Sequence, residues 1–286
     1  MINQESFLKS CDELLLPDVK LVNSGSSNLR VSYKDFNQTS QKIAAVAHHY
    51  QDSKYVQVTQ VGDKGIYYRF TQVLSNGDIC LKTADCSNAA IAAYIYTHSL
   101  YEKSLTEKKQ LINANNKTTW LIRINSQHDF NFCLQLEKLL RPEDTTTAPC
   151  SLHSLDKLSN SCINVLLKSY NEVFHIAVTS EEELYTLIPV AKEISIVNMG
   201  IKVFLSFWYK NKIKSVLFYN GVSHRTIPMS TLCTVLNYKY LNKKLTMGAY
   251  NIINIVTNHT INFSLFKNNT GIQFSTQVGA KIKDLL

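Results

Sequence analysis

No apolar stretch in the 286 residues approaches the length that spans a bilayer, and no secretory n-region or apolar h-region precedes the first cysteine. Cysteine pairing is equally absent. The seven cysteines, Cys11, Cys80, Cys86, Cys133, Cys150, Cys162 and Cys233, are odd in number and include no Cys-x-x-Cys pair, so reduced thiols in a cytoplasmic protein are expected. Matches to the Asn-x-Ser/Thr sequon, such as Asn37-Gln38-Thr39, carry no weight without a signal peptide. Concentrated charge is missing too. The net charge of +8 would suit an anionic partner, yet the lysine groups around Lys108, Lys212 and Lys243 are short or interrupted. Aromatic residues do not interleave with a basic stripe, which argues against nucleic acid and for a solvated surface.

What is present is ordinary globular composition, 45% hydrophobic and 18% charged, in a chain long enough for one large or two medium domains. Short runs rich in β-branched and aromatic residues recur in both halves and predict strands. They include residues 19–22, 55–61, 66–74, 119–124, 163–167, 172–178, 201–208, 214–219, 252–256, 260–266 and 271–275. Asn268-Asn269-Thr270-Gly271 predicts a hairpin connection. Helical patterning is sparser. Residues 88–100 are apolar nearly all round and predict a buried helix, residues 231–241 a second, and 38–50 and 181–192 amphipathic surface helices. Each half therefore offers strands around one buried helix, an α+β arrangement. A polar cluster at 110–117 suggests a boundary, giving an N-terminal domain of residues 1–113, joined by 268–286, and a C-terminal domain of 114–267.

The segment that carries chemistry is Lys82-Thr83-Ala84-Asp85-Cys86-Ser87-Asn88-Ala89-Ala90, where a cysteine stands between a strand and the buried helix. A helix N-terminus offers unpaired N–H groups and partial positive charge, so it lowers a thiol pKa and binds a carboxylate. Taken alone, Cys86 is equally well read as a small buried residue with Asn88 as a cap, and Lys54 as an ordinary exposed lysine.

Ser53-Lys54-Tyr55-Val56, Tyr68-Arg69-Phe70-Thr71-Gln72-Val73 and Asp85-Cys86-Ser87-Asn88 together resemble the 2-methylaconitate isomerase family of the diaminopimelate epimerase-like superfamily. Leu21-Val22-Asn23-Ser24-Gly25-Ser26-Ser27-Asn28 is similar to that family's N-terminal strand and its carboxylate-holding loop, with Asn28 at the loop's lysine position. His224 followed by Met229-Ser230-Thr231-Leu232-Cys233 is similar to its second helix entry.

The resemblance implies two similar domains, each a β-barrel-like sheet wrapped round a central helix, with Lys54 and Cys86 on opposite sides of a cleft. It implies a cofactor-independent isomerase or tautomerase that moves an allylic proton on a small unsaturated carboxylic acid, with no metal. Lys54 and Cys86 would be the acid/base pair. Ser24, Gly25, Ser26, Ser27, Gln72, Ser87, Asn88, His224, Ser230 and Thr231 would contact substrate. Cys233 would be a second thiol if the chain instead worked as a two-cysteine epimerase or racemase. Family glycines are replaced at Ser24, Ser87 and Ser230, which reshapes or abolishes the anion site and keeps a non-catalytic binding protein as an alternative. A small carboxylic acid is the expected partner, without nucleic acid or membrane, and a homodimer is left open.

Overall fold

The structure is a computed structural model that describes residues 18–21, 29–33, 54–63, 65–73, 79–81, 86–101, 108–128, 131–141, 146–148, 163–169 and 171–282. It divides into two compact units, one of Met1–Glu137 with Gln277–Leu286 and the other of Lys138–Thr276. The division falls at residue 137/138, not at 113/114. Residues 110–117 are the end of one strand and a tight turn inside the first unit, so their polarity marks a hairpin.

The first unit contains β1 (Asp18–Leu21), β2 (Leu29–Tyr33), β3 (Lys54–Gly62), β4 (Gly65–Val73), β5 (Ile79–Leu81), α1 (Ser87–Tyr101), β6 (Lys109–Asn113), β7 (Thr119–His128) and most of β8 (Asn131–Leu140). β1 pairs antiparallel with β2, β2 parallel with β3, and β3 antiparallel with β4. β4 then pairs antiparallel with β5 and parallel with β6, which leads through β7 to β8. Helix α1 packs against β1, β2, β3, β4, β6 and β7, so the sheet wraps it. Every residue from Ala89 to Tyr96 is buried, as an all-round apolar helix requires. Val56, Val58, Tyr68 and Phe70 line the facing strands, and Trp120 and Ile122 close the far side.

The second unit repeats this order. It contains β9 (Thr146–Ala148), β10 (Ile163–Ser169), β11 (Asn171–Val178), α2 (Glu181–Thr186), α3 (Ile188–Val197), β12 (Lys202–Tyr209), β13 (Lys212–Tyr219), β14 (Val222–Ser223), α4 (Met229–Leu241), β15 (Gly248–Asn254), β16 (Thr260–Asn268) and the first half of β17 (Gly271–Ile282). Again a parallel pair, β11 with β12, precedes a hairpin, β12 with β13, and a second parallel pair, β13 with β15. Helix α4 packs on β10 and β11 and is buried from Met229 to Asn237.

Helices α2 and α3 cover the opposite face, where Phe174, Ile176, Val203, Leu205, Val216 and Phe218 pack on Leu184, Ala191 and Ile194. The single helix expected over 181–192 is thus two. Pro189 sits in the first turn of α3, where its missing N–H costs nothing, and Leu187 ends α2. The expected hairpin at 268–271 is present: Asn268 and Gly271 are paired and the Asn268 side chain accepts from the Thr270 amide at 2.9 Å. Among the described residues no helix is long and apolar enough to cross a membrane. The helix expected over 38–50 lies outside the described residues.

Candidate functional site

Two helix entries, one in each unit, carry the groups the sequence singles out. At the first, the Cys86 carbonyl accepts the first helical bond from the Ala90 amide at 3.2 Å, which makes Cys86 the residue directly ahead of α1. Cys86 is half-buried, Ser87 is buried and Asn88 is half-buried. The first turn of α1 contains no acidic residue to neutralise its N–H groups. Such a turn is suited to an anion.

Lys54 and Gln72 are directly opposite each other in the β3–β4 ladder. The next two rows along the same face pair Val56 with Phe70 and Val58 with Tyr68, all buried.

In the second unit, the Pro228 carbonyl accepts from the Leu232 amide at 3.0 Å, so Pro228 holds the place ahead of α4 that Cys86 holds ahead of α1. No side chain caps this helix and its first turn is again without acid. Thr231, in that turn, is fully buried, and its Oγ1 has no hydrogen-bond partner among the described residues. A buried hydroxyl without a partner costs about 1–3 kcal/mol, which an incoming anion or its water would recover. Thr231→Val is therefore expected to raise the thermal midpoint of the ligand-free protein, by about 1 kcal/mol of stability. The same variant should weaken binding of a small carboxylate, measured as a smaller ligand-induced shift in melting.

Ser230 is buried, with its carbonyl accepting from Thr234 Oγ1 at 3.0 Å. His224 lies in the loop before α4. Its amide donates to the Leu217 carbonyl at 2.8 Å, and its ring meets Tyr219 edge-on at 6.0 Å. Cys233 falls one turn further into α4 and is buried, at the step that Ile91 occupies in α1. Ser24, Gly25, Ser26 and Ser27 lie outside the described residues.

Two groups were not singled out by the sequence. Asn254, 1% exposed, donates from Nδ2 to the His224 carbonyl at 2.7 Å and to the Arg225 carbonyl at 3.4 Å, so it ties down the loop that leads into α4. Its signal was an asparagine inside the apolar run Ile252-Ile253-Asn254-Ile255-Val256. In β11, buried His175 contacts Ser206 Oγ through Nε2 at 2.9 Å, and Ser206 Oγ also accepts from Trp208 Nε1 at 2.9 Å. Lys239 Nζ lies 4.0 Å above the Trp208 ring, and burial, with Lys244 adding repulsion, lowers its pKa to about 8.

No family model and no curated protein matches the chain. Solved structures do. The methylitaconate-delta-isomerase superposes with a TM-score of 0.54 at 11% identity, over 94% of each chain. A phenazine biosynthesis protein of the PhzF family from Enterococcus faecalis gives a TM-score of 0.57 at 10% identity, over 94% of this chain and 97% of that one. A predicted epimerase from Pseudomonas aeruginosa gives 0.56 at 10% identity, with the same coverage. The chain has the α+β, diaminopimelate epimerase-like fold.

Proposed function

We propose that the protein is an isomerase-type enzyme that moves a proton on a small unsaturated carboxylic acid without a cofactor, with Lys54 and Cys86 as its acid/base pair. The observation that carries the reading is the acid-free α1 entry with Cys86 at its head. The second unit has a like entry, without a side-chain cap and with a buried Thr231 hydroxyl that has no partner among the described residues. N–H groups at such entries hold a carboxylate and stabilise the dienolate that forms when the adjacent carbon loses its proton. One member of the pair removes an allylic proton and the other returns a proton elsewhere on the acid, so no electron acceptor is required. The resemblance assigns the substrate contacts to Ser24, Gly25, Ser26, Ser27, Gln72, Ser87, Asn88, His224, Ser230 and Thr231, and the proposal keeps that assignment. A cytoplasmic setting and a small-acid partner complete it.

The likeness to the methylitaconate-delta-isomerase supports the same reading through shared architecture. A two-cysteine epimerase draws no support from Cys233, which sits a turn inside α4 and not at its entry.

The test is carbon-bound deuterium uptake in D2O, followed by NMR on cis-aconitate and related di- and tricarboxylates. Incorporation that depends on the protein is the expected result. A chain that binds one of these acids, seen as protection from thermal unfolding, but never exchanges its protons would be a binding protein on this scaffold.

A further inference from the structure

Residues 194–283 contain ten lysines, one arginine and no aspartate or glutamate, whereas the rest of the chain holds 19 basic and 22 acidic residues. The whole positive balance of the protein therefore arises in this stretch, most of which belongs to the second unit. Asymmetry of that kind draws anions to one region of a surface.

Folding concentrates the charge further. The lysine groups around Lys212 and Lys243 are short in sequence, yet the tip of the β12–β13 hairpin meets the segment between α4 and β15. The Asn251 amide donates to the Asn211 carbonyl at 2.9 Å, and Lys212 pairs with Asn251 across β13 and β15. The Lys244 amide donates to the Lys239 carbonyl at 2.8 Å, while Lys239 Nζ stands 4.0 Å above the ring of Trp208, next to the last residue of β12. Lys244 is near enough for its charge to help hold down the Lys239 pKa. Gly248 pairs antiparallel with Leu265, so Phe266 and Lys267 run out beside the residues that lead into β15. Lys210, Lys212, Lys239, Lys243, Lys244 and Lys267 thus share one end of the unit, and none has an acidic partner among the described residues.

Large apolar side chains stand among these lysines. Tyr209 is 58% exposed, Leu241 53%, Phe266 41% and Met247 40%, and Met247 and Phe266 lie immediately beyond the Gly248–Leu265 pair. Unpaired lysines mixed with exposed side chains of this size suit anionic headgroups lying over hydrocarbon, because the ammonium groups stay at phosphate level while the apolar tips enter beneath. A polynucleotide fits less well. Lys239 already covers a face of Trp208, no arginine stands in residues 208–213 or 237–252, and Leu241 and Met247 gain nothing from phosphates.

We propose that this end of the second unit is a docking surface for an anionic membrane, with the lysines on headgroups and Tyr209, Leu241, Met247 and Phe266 at the acyl boundary. The protein lies on the bilayer through it, whether or not the chain is an isomerase.

Co-sedimentation of the full-length protein with vesicles of phosphatidylcholine containing about 30 mol% phosphatidylserine tests this. Binding is expected to be about twentyfold tighter than to phosphatidylcholine alone and to weaken as salt rises from about 0.1 M to about 0.5 M. Lys244→Glu should weaken it about twentyfold. Lys192→Glu, the same charge change on exposed α3 across the sheet, should stay within about twofold. Met247→Ser combined with Phe266→Ser should cost about tenfold with the melting temperature unchanged, since both side chains are exposed.

No binding to the phosphatidylserine vesicles overturns the proposal. So does equal weakening by Lys244→Glu and Lys192→Glu, which would make net charge the cause and not this surface. Full binding by the Met247→Ser, Phe266→Ser variant overturns the lipid assignment, as does tighter binding to polyuridylate than to the vesicles, which would make the surface a nucleic-acid site.

Discussion

Cys86→Ala is expected to lower protein-dependent deuterium uptake by about a thousandfold, and Lys54→Ala to do the same, since each removes one partner of a proton relay. The fold should survive both. Cys86 contributes to α1 through its backbone carbonyl, which accepts from the Ala90 amide, and alanine keeps that carbonyl. Lys54 is the first residue of β3, and alanine keeps its place opposite Gln72. Far-ultraviolet circular dichroism and melting should therefore match the unmodified protein while exchange disappears. Lys54→Arg sharpens the test, because a guanidinium retains the charge yet does not give up its proton near neutrality. It should be as inactive as alanine. Cys233→Ser should leave exchange within about threefold, since that thiol is buried a turn inside α4. Unchanged exchange in Cys86→Ala and Lys54→Ala together would sink the acid/base assignment. Loss in Cys233→Ser with Lys54→Ala active would point to two thiols.

The parts of the fold that were legible in the sequence are those where side-chain period and burial agree. The run Ala89 to Ile95 has no polar face, so it had to be enclosed, and the sheet of the first unit encloses it. The hairpin at Asn268 to Gly271 was equally plain, because its turn chemistry is local. β8 was not. Its last seven residues, Leu134-Gln135-Leu136-Glu137-Lys138-Leu139-Leu140, are strong helix formers, and pairing with β7 as far as Glu137 overrides that preference.

Each half reads as strands around one buried helix, yet residue identities do not align the two halves, for a geometric reason. Between Val58 and Gln60 the β3–β4 register shifts, so counting back from the two hairpins aligns Lys54 with Lys202 only after one extra residue in β3 is skipped. Around the turns that follow β6 and β15, little survives beyond Ile112-Asn113 with Thr119 and Ile253-Asn254 with Thr260. Backbone bonds conserve this likeness where side chains do not. At the site, the Cys86 entry was visible because a helix start is a local event. Asn254 was invisible because its role depends on carbonyls about thirty residues earlier.

Acidification is expected to destabilise the second unit through His175. The ring is fully enclosed, with Phe204 tilted against it at 5.5 Å, Ser206 on Nε2 and no partner on Nδ1 among the described residues. Burial, with Lys239 adding repulsion, lowers its pKa to about 3. In the unfolded chain the imidazole returns to the ordinary value near 6.5. The folded state thus binds fewer protons than the unfolded one across that window. The stabilisation is complete above the unfolded value and is lost as pH falls toward the folded one. Between about pH 7 and pH 4.5 the loss should reach about 2–3 kcal/mol.

Urea unfolding at those two pH values, compared with His175→Gln, isolates the effect. Glutamine can still meet Ser206 but carries no titrating group in this range, so the variant should start lower at neutral pH and decline less on acidification. Equal declines in the two proteins would show that carboxylates, not the buried imidazole, govern acid sensitivity. Lys239 acts on the other side of neutrality, and urea unfolding extended above pH 8 reads it: stability should rise as pH climbs from about 8 toward the ordinary lysine value.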